Sequence, residues 1–129
     1  MSLDKIKNFL GLPNPDLQLS YLIELGRANN LQERNLAQYT RNAYCNADSW
    51  YYLNSQNHLI YFDGFSSSLV NSGIMHLVRD AYHLRITHSQ PKPPEFIGYL
   101  SLEQLVGSSR IHGLKFILHQ ISVLHQKLT

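Results

Sequence analysis

Two short aromatic-rich runs, Ser49 to Leu53 and His58 to Phe62, carry the only strong strand signal in the chain. They are rich in Trp, Tyr, Ile and Phe, and Asn54-Ser55-Gln56-Asn57 between them reads as a four-residue polar hairpin loop. A two-stranded ribbon is not stable alone in water, so it must gain a third strand or lie on helices. The residues just before Cys45 can supply a short third strand, and Asp63-Gly64 is expected to end the second. Tyr51 and Tyr52 point to opposite faces of the ribbon, so at least one is expected to be exposed.

The rest of the chain reads as helix. Asn14-Pro15-Asp16 has a capping asparagine, a proline at the first helical position and an acid at the positive dipole end. Leu17, Tyr21, Leu22 and Leu25 follow at helical spacing, and Gly26 to Asn30 close the helix. Leu31-Gln32-Glu33-Arg34 is compatible with one further turn. After the hairpin, Ser66 or Ser67 caps a helix whose apolar stripe is Val70, Ile74, Leu77, Ala81 and Leu84, widened by Val78. A short helix over Glu95 to Leu100 follows the proline joint Ser89 to Pro94. The last helix opens at Gly107-Ser108-Ser109. Its stripe of Ile111, Leu114, Ile117, Leu118, Ile121, Leu124 and Leu128 is the cleanest in the chain. This order predicts an α+β fold, with helices packed on one face of a small antiparallel sheet.

At 129 residues the chain fits one domain, and residues 1–129 are read that way. Charged residues make up 16% and the formal charge is +2, without the basic stripe that nucleic acid requires. No apolar run approaches signal-peptide or membrane-spanning length, so a cytoplasmic protein without membrane contact is expected. A single cysteine excludes an internal disulfide and fits a reducing compartment.

The seven histidines suggest metal, but His76 and His83 are seven apart, as are His112 and His119. Neither pair has the i, i+4 spacing of a helical zinc site, and no metal site is expected. A Cys–His nucleophile pair would be adjacent in space rather than in sequence. Yet no recognisable oxyanion loop adjoins Cys45, and the phosphate-binding glycine motifs are absent. Cys45 remains the chemically distinctive group, in a polar segment entering the hairpin, where function concentrates more than packing does. Arg41 would lower its pKa and Asp48 would raise it.

Four segments, in order, carry a family pattern. They are Tyr21-Leu22-Ile23-Glu24-Leu25-Gly26-Arg27, Cys45 with Trp50 five residues on, Ser66 to Ile74, and Leu105 to Leu114. Together they resemble the SufE family of sulfur-acceptor proteins, including its CsdE branch, over roughly residues 5 to 127. The resemblance implies the α+β arrangement of SufE- and IscU-type folds. It also implies a function. A pyridoxal-phosphate cysteine desulfurase would pass persulfide sulfur to Cys45, for delivery to an iron–sulfur scaffold. The chain would then be a persulfide carrier and desulfurase activator, binding no cofactor of its own. An alternative that keeps the fold is a non-catalytic binding or regulatory module of the desulfurase.

By the same resemblance, Trp50 and neighbouring hydrophobes would form the apolar shell of the acceptor. Arg110 would dock the desulfurase or fix the acceptor loop. The chain departs from the family pattern at Tyr44, where glycine is usual, and at Asn46-Ala47-Asp48, which displace a serine. It departs again at Ser67 for aspartate and His112 for asparagine. Three of these four changes fall where the acceptor loop or the partner is expected.

Overall fold

The computed structural model describes residues 3–128. Among the described residues there are six α-helices: α1 (Asp4–Leu10), α2 (Pro15–Asn30), α3 (Leu69–Tyr82), α4 (Phe96–Tyr99), α5 (Leu102–Val106) and α6 (His112–Leu128). Three strands, β1 (Thr40–Arg41), β2 (Ser49–Gln56) and β3 (Leu59–Ser66), form one antiparallel sheet in the order β1-β2-β3. The fold is α+β, as the sequence predicts, and the third strand lies a few residues before Cys45.

The hairpin is longer and its turn tighter than expected. Ser49 pairs with Ser66 and Gln56 with Leu59, leaving Asn57-His58 as a two-residue turn. Both turn residues have positive φ, 53° and 63°, as a type I′ connection requires. Asn54, Ser55 and Gln56 are therefore strand residues, because ladder pairing uses the backbone and is indifferent to their polarity. Asp63-Gly64 does not end β3, which runs on to Ser66.

Alternation along β3 assigns the faces. Ile60, Phe62, Gly64 and Ser66 are buried towards the helices, and their partners Ser55, Leu53, Tyr51 and Ser49 share that face. Trp50 and Tyr52 point the other way, with Tyr61, Asp63 and Phe65. Tyr51 and Tyr52 do lie on opposite faces, but both are half-buried.

The core joins Phe62 to Ile74, Leu77, Val78 and Ala81 of α3, and to Leu114, Ile117, Leu118 and Ile121 of α6. Ile6 and Phe9 of α1 complete it. Neither α1 nor α5 was expected; each is too short to show more than one or two turns of apolar spacing. Asn14 caps α2 by accepting from the Leu17 N–H at 2.9 Å. Ser68, rather than Ser66 or Ser67, caps α3, accepting from Asn71 N–H. Leu84 lies beyond α3 at φ 76° and bridges to Ile60 of β3 instead of extending the stripe. Residues 31–34 are not helical; a single 3₁₀ turn forms later, at Leu36–Gln38.

Segment 31–39 covers the outer sheet face through an ion pair. Arg34 Nε donates to Asp63 Oδ2 at 2.5 Å, with both side chains largely buried. The Arg34 guanidinium also lies 4.8 Å above the Phe65 ring. Tyr39 donates its hydroxyl to Asp63 Oδ2 at 2.5 Å. Burial and the Asp63 carboxylate push the Tyr39 phenol up to about 12. Burial alone would raise the Asp63 pKa, but the hydrogen bonds from Arg34 and Tyr39 outweigh it and hold the carboxyl below its usual range.

α2 and α3 cross in backbone contact. A Cβ on Gly26 would sit 2.0 Å from Leu69 O, and one on Gly73 would sit 2.0 Å from Leu22 O. Neither obstructing atom can yield, since both are carbonyl oxygens. Gly73→Ala is expected to destabilise the protein by about 1–3 kcal/mol, the usual cost of overpacking. Gly98→Ala, with nothing within 4 Å, should stay within about 0.5 kcal/mol of the parent. Urea unfolding of both variants checks the contrast, and equal midpoints would remove the crossing as a constraint.

Candidate functional site

Cys45 lies on the loop between β1 and β2, and both roots of that loop are tied down. At the first root, buried Asn42 donates its backbone N–H to Ser49 O at 2.8 Å and its side-chain amide to Gly113 O at 3.0 Å. Its Oδ1 accepts from Tyr44 N–H at 3.0 Å, an Asx turn that starts the loop. At the second root, Asp48 O accepts from Ser67 N–H at 2.8 Å and from Ser66 Oγ at 3.2 Å. Ser66 Oγ also meets Ser49 Oγ at 2.9 Å.

Between these roots the thiol rests on α6. A Cβ placed on Gly113 would lie 1.9 Å from Cys45 Sγ, so glycine at the first turn of α6 is what lets sulfur meet backbone there. Cys45 is half-buried and lines two spaces. One is a polar cleft of about 400 Å³ with Asn46, Ser68, Asn71, Ser109 and Arg110. The other is a small pocket with about 10 Å³ of free volume, walled by Ile74, Met75, Leu114 and Ile117. That volume is about one water-sized sphere.

Burial pushes the Cys45 thiol above its ordinary value of 9.0, and a hydrogen bond with the Ser49 side chain opposes the rise. Arg41 and Asp48, which pull in opposite directions, pair with each other at 2.8 Å on the surface. Neither contributes to the shift. In this docked position burial favours the thiol over the nucleophilic thiolate.

The sequence-selected residues divide. Arg110 lines both spaces beside Cys45, and among the described residues its side chain makes no hydrogen bond or ion pair; its backbone N–H donates to Gly107 O at 3.3 Å. Tyr44 is exposed, with its ring 4.7 Å from that of Phe116 on α6. Ser67 and His112 are both exposed and line neither space. Ser67 acts through its backbone, at the loop root.

Trp50 requires a correction. It stacks on Phe65 at 5.3 Å on the outer sheet face, and the strand's period of two puts it opposite Ser49, which faces the thiol. The apolar shell comes from α3 and α6 instead. Asn42, Ser49 and Gly113 were missed, although a glycine inside an amphipathic run signals close packing. Among the described residues, no three His, Cys, Asp or Glu side chains are grouped to hold a metal ion.

A lone thiol on a root-anchored loop thus lies between a cleft lined by polar residues and a small apolar pocket. Residues 4–124 match the family model for SufE, described as an Fe-S metabolism associated domain. The chain belongs to the SufE family. Its role accordingly lies in iron–sulfur metabolism and supports cluster assembly. No curated protein matches the chain. Among the described residues, no helix of this SufE-family chain is long and apolar enough to cross a membrane.

Labelling of Cys45 by iodoacetamide reports the docked state. In the native protein its rate should rise with pH about a midpoint above 9.0, and return to the ordinary midpoint in denaturing urea. Gly113→Ala should label faster than the parent at neutral pH, because the new methyl expels the sulfur. A variant that labels no faster would mean that the contact does not shield the thiol.

Proposed function

We propose that this chain accepts persulfide sulfur on Cys45 from a cysteine desulfurase and passes it on to iron–sulfur cluster assembly. The observation that carries this reading is the small apolar pocket directly beside the sole thiol, in a chain of the SufE family. A terminal sulfur added to Cys45 extends the side chain by one atom beside these apolar walls.

The step is a thiolate displacement. Cys45 Sγ, as thiolate, attacks the outer sulfur of the donor's persulfide. A new S–S bond forms to Cys45 as the donor's S–S bond breaks, and the donor cysteine leaves as thiolate. The transferred sulfur keeps its oxidation level, so no external oxidant or reductant is needed. Rate follows thiolate fraction, nucleophilicity and access. The docked thiol is poor in the first and third, so transfer proceeds from an undocked loop. Re-docking the product among Ile74, Met75, Leu114 and Ile117 then withholds the persulfide from water and stray thiols.

Arg110 stands at the rim of both spaces, its side chain without a partner among the described residues, and in this reading it meets the incoming protein. Pyridoxal phosphate belongs to the desulfurase, and this chain contributes the thiol and its shelter. The alternative, a regulatory module acting without transfer, draws on the protonated, docked state of Cys45.

Intact-mass measurement separates the two. The protein is incubated with a desulfurase, pyridoxal phosphate and cysteine. It should gain one sulfur atom, lose it to reductant, and gain none as Cys45→Ser. Unchanged mass together with unchanged desulfurase activity would overturn the proposal for that donor. Activity raised equally by the parent and by Cys45→Ser would identify a regulator.

A further inference from the structure

The Cys45 loop is tied at its roots and almost nowhere between them. Among the described residues, the backbone of residues 43–46 makes no hydrogen bond outside the stretch from Asn42 to Ser49. Side-chain contacts hold its middle to the body, among them Cys45 Sγ on Gly113 and the Tyr44 ring on Phe116. The second is made by an adjacent residue to the same helix, three residues further along.

The geometry of the Tyr44 contact is that of a closure rather than a core. Tyr44 as a whole residue is 62% exposed, and its hydroxyl makes no hydrogen bond among the described residues, so little else fixes the ring. It sits tilted at 31° to the Phe116 ring. The receiving ring is itself braced. Tyr51, on the inner face of β2, meets Phe116 edge-on at 6.0 Å. One side of the pair is thus supported by the sheet and the other by a free loop.

We propose that the Tyr44 ring is a latch: packed on Phe116, it keeps the loop shut and sets how often Cys45 is presented to a sulfur donor. This rests on Cys45 being the reacting group. Tyr44 touches neither sulfur nor pocket, so it is a positioning residue. Opening that lifts Sγ off Gly113 also slides the neighbouring ring off Phe116, because both residues follow the Asn42 root. Asn42 need not release Gly113 O, since it lies on the fixed side of the hinge. Where glycine would leave the loop closed by the sulfur contact alone, tyrosine adds a second hold. An exposed ring pair shifts such an equilibrium by about 2- to 5-fold, at the low end of aromatic pairs.

The test uses iodoacetamide labelling of the full chain, where Cys45 is the one cysteine and intact mass reads its modification without ambiguity. Tyr44→Ala should label about 2- to 5-fold faster than the parent at neutral pH, and Phe116→Leu should be faster in the same way. Tyr44→Phe, which keeps the ring, should label at the parent rate. The gain should shrink at high pH, where thiolate formation itself favours the open loop, and the labelling midpoint should move down towards its ordinary value. Repeating the series in low urea separates latch opening from global unfolding, because only the unfolding route grows with urea.

Tyr44→Ala labelling no faster than the parent, or only through the urea-dependent route, overturns the latch. So does Tyr44→Phe rising as much as Tyr44→Ala. No desulfurase takes part. A chain that shows this pattern but gains no sulfur keeps the latch and loses the proposed function, and the reverse result does the opposite.

Discussion

The backbone crossing of α2 and α3 is the constraint on which the rest depends. Gly26 and Gly73 let each helix press on a carbonyl of the other, Leu69 O and Leu22 O. With the helices that close, Asn29 at the end of α2 reaches across. Its side-chain amide donates to Gly64 O of β3 at 2.9 Å and to Ser72 Oγ of α3 at 2.9 Å. One buried amide therefore joins two helices and the sheet, and a satisfied polar junction of this kind fixes a single arrangement. The same crossing places Ser68 and Asn71, at the start of α3, where they line the cleft beside Cys45.

Asn29 also passes the constraint to the outer face. Arg34 donates to Asn29 O at 2.6 Å and to its Oδ1 at 2.8 Å, and extends from there to Asp63. A buried ion pair is weak evidence for stability, because desolvation offsets much of its attraction. Its consequence here is positional. The pair and the Tyr39–Asp63 hydrogen bond lay segment 31–39 over the sheet and deliver the chain into β1. Asn42 then follows immediately and anchors the first root of the Cys45 loop. Lys5 and His76 extend the polar chain towards α1: Lys5 Nζ lies 2.6 Å from His76 Nε2, so the ring accepts there and is neutral. Burial lowers the His76 pKa, consistent with that state.

What was legible in the sequence depended on whether the signal was local. The Asn14-Pro15 cap and the stripe of α6 are local, and α2 starts where the pattern puts it; α6 starts later than Gly107-Ser108-Ser109, at His112, because Ser108–Ile111 forms a separate 3₁₀ turn. The hairpin failed at its turn, since Asn54 to Gln56 look like loop by polarity but pair through backbone. Asp63-Gly64 looks like a stop, yet Asp63 answers Arg34 from 29 residues away and Gly64 receives Asn29. Trp50 shows a different limit. The family resemblance tied it to Cys45, but strand alternation turns it to the other face. Cys45 itself was found from the sequence, whereas its shelter was not. Ile74, Met75, Leu114 and Ile117 come from two helices, and only the fold brings them to the thiol. Gly113 is the clearest miss, because its role is to be absent where the sulfur sits.

The molecule thus pairs a frame of close backbone and buried polar contacts with one short segment held mainly at its roots. Its glycines do different things: Gly26 and Gly73 let two helices press on each other's carbonyls, and Gly113 lets the Cys45 sulfur rest on backbone. Native-state hydrogen exchange tests this division most directly, because it reads local opening residue by residue. The Cys45 amide should exchange far faster than those of Asn42 and β2, through an opening insensitive to urea. Protection of the Cys45 amide equal to that of β2, lost only with global unfolding, would contradict the account.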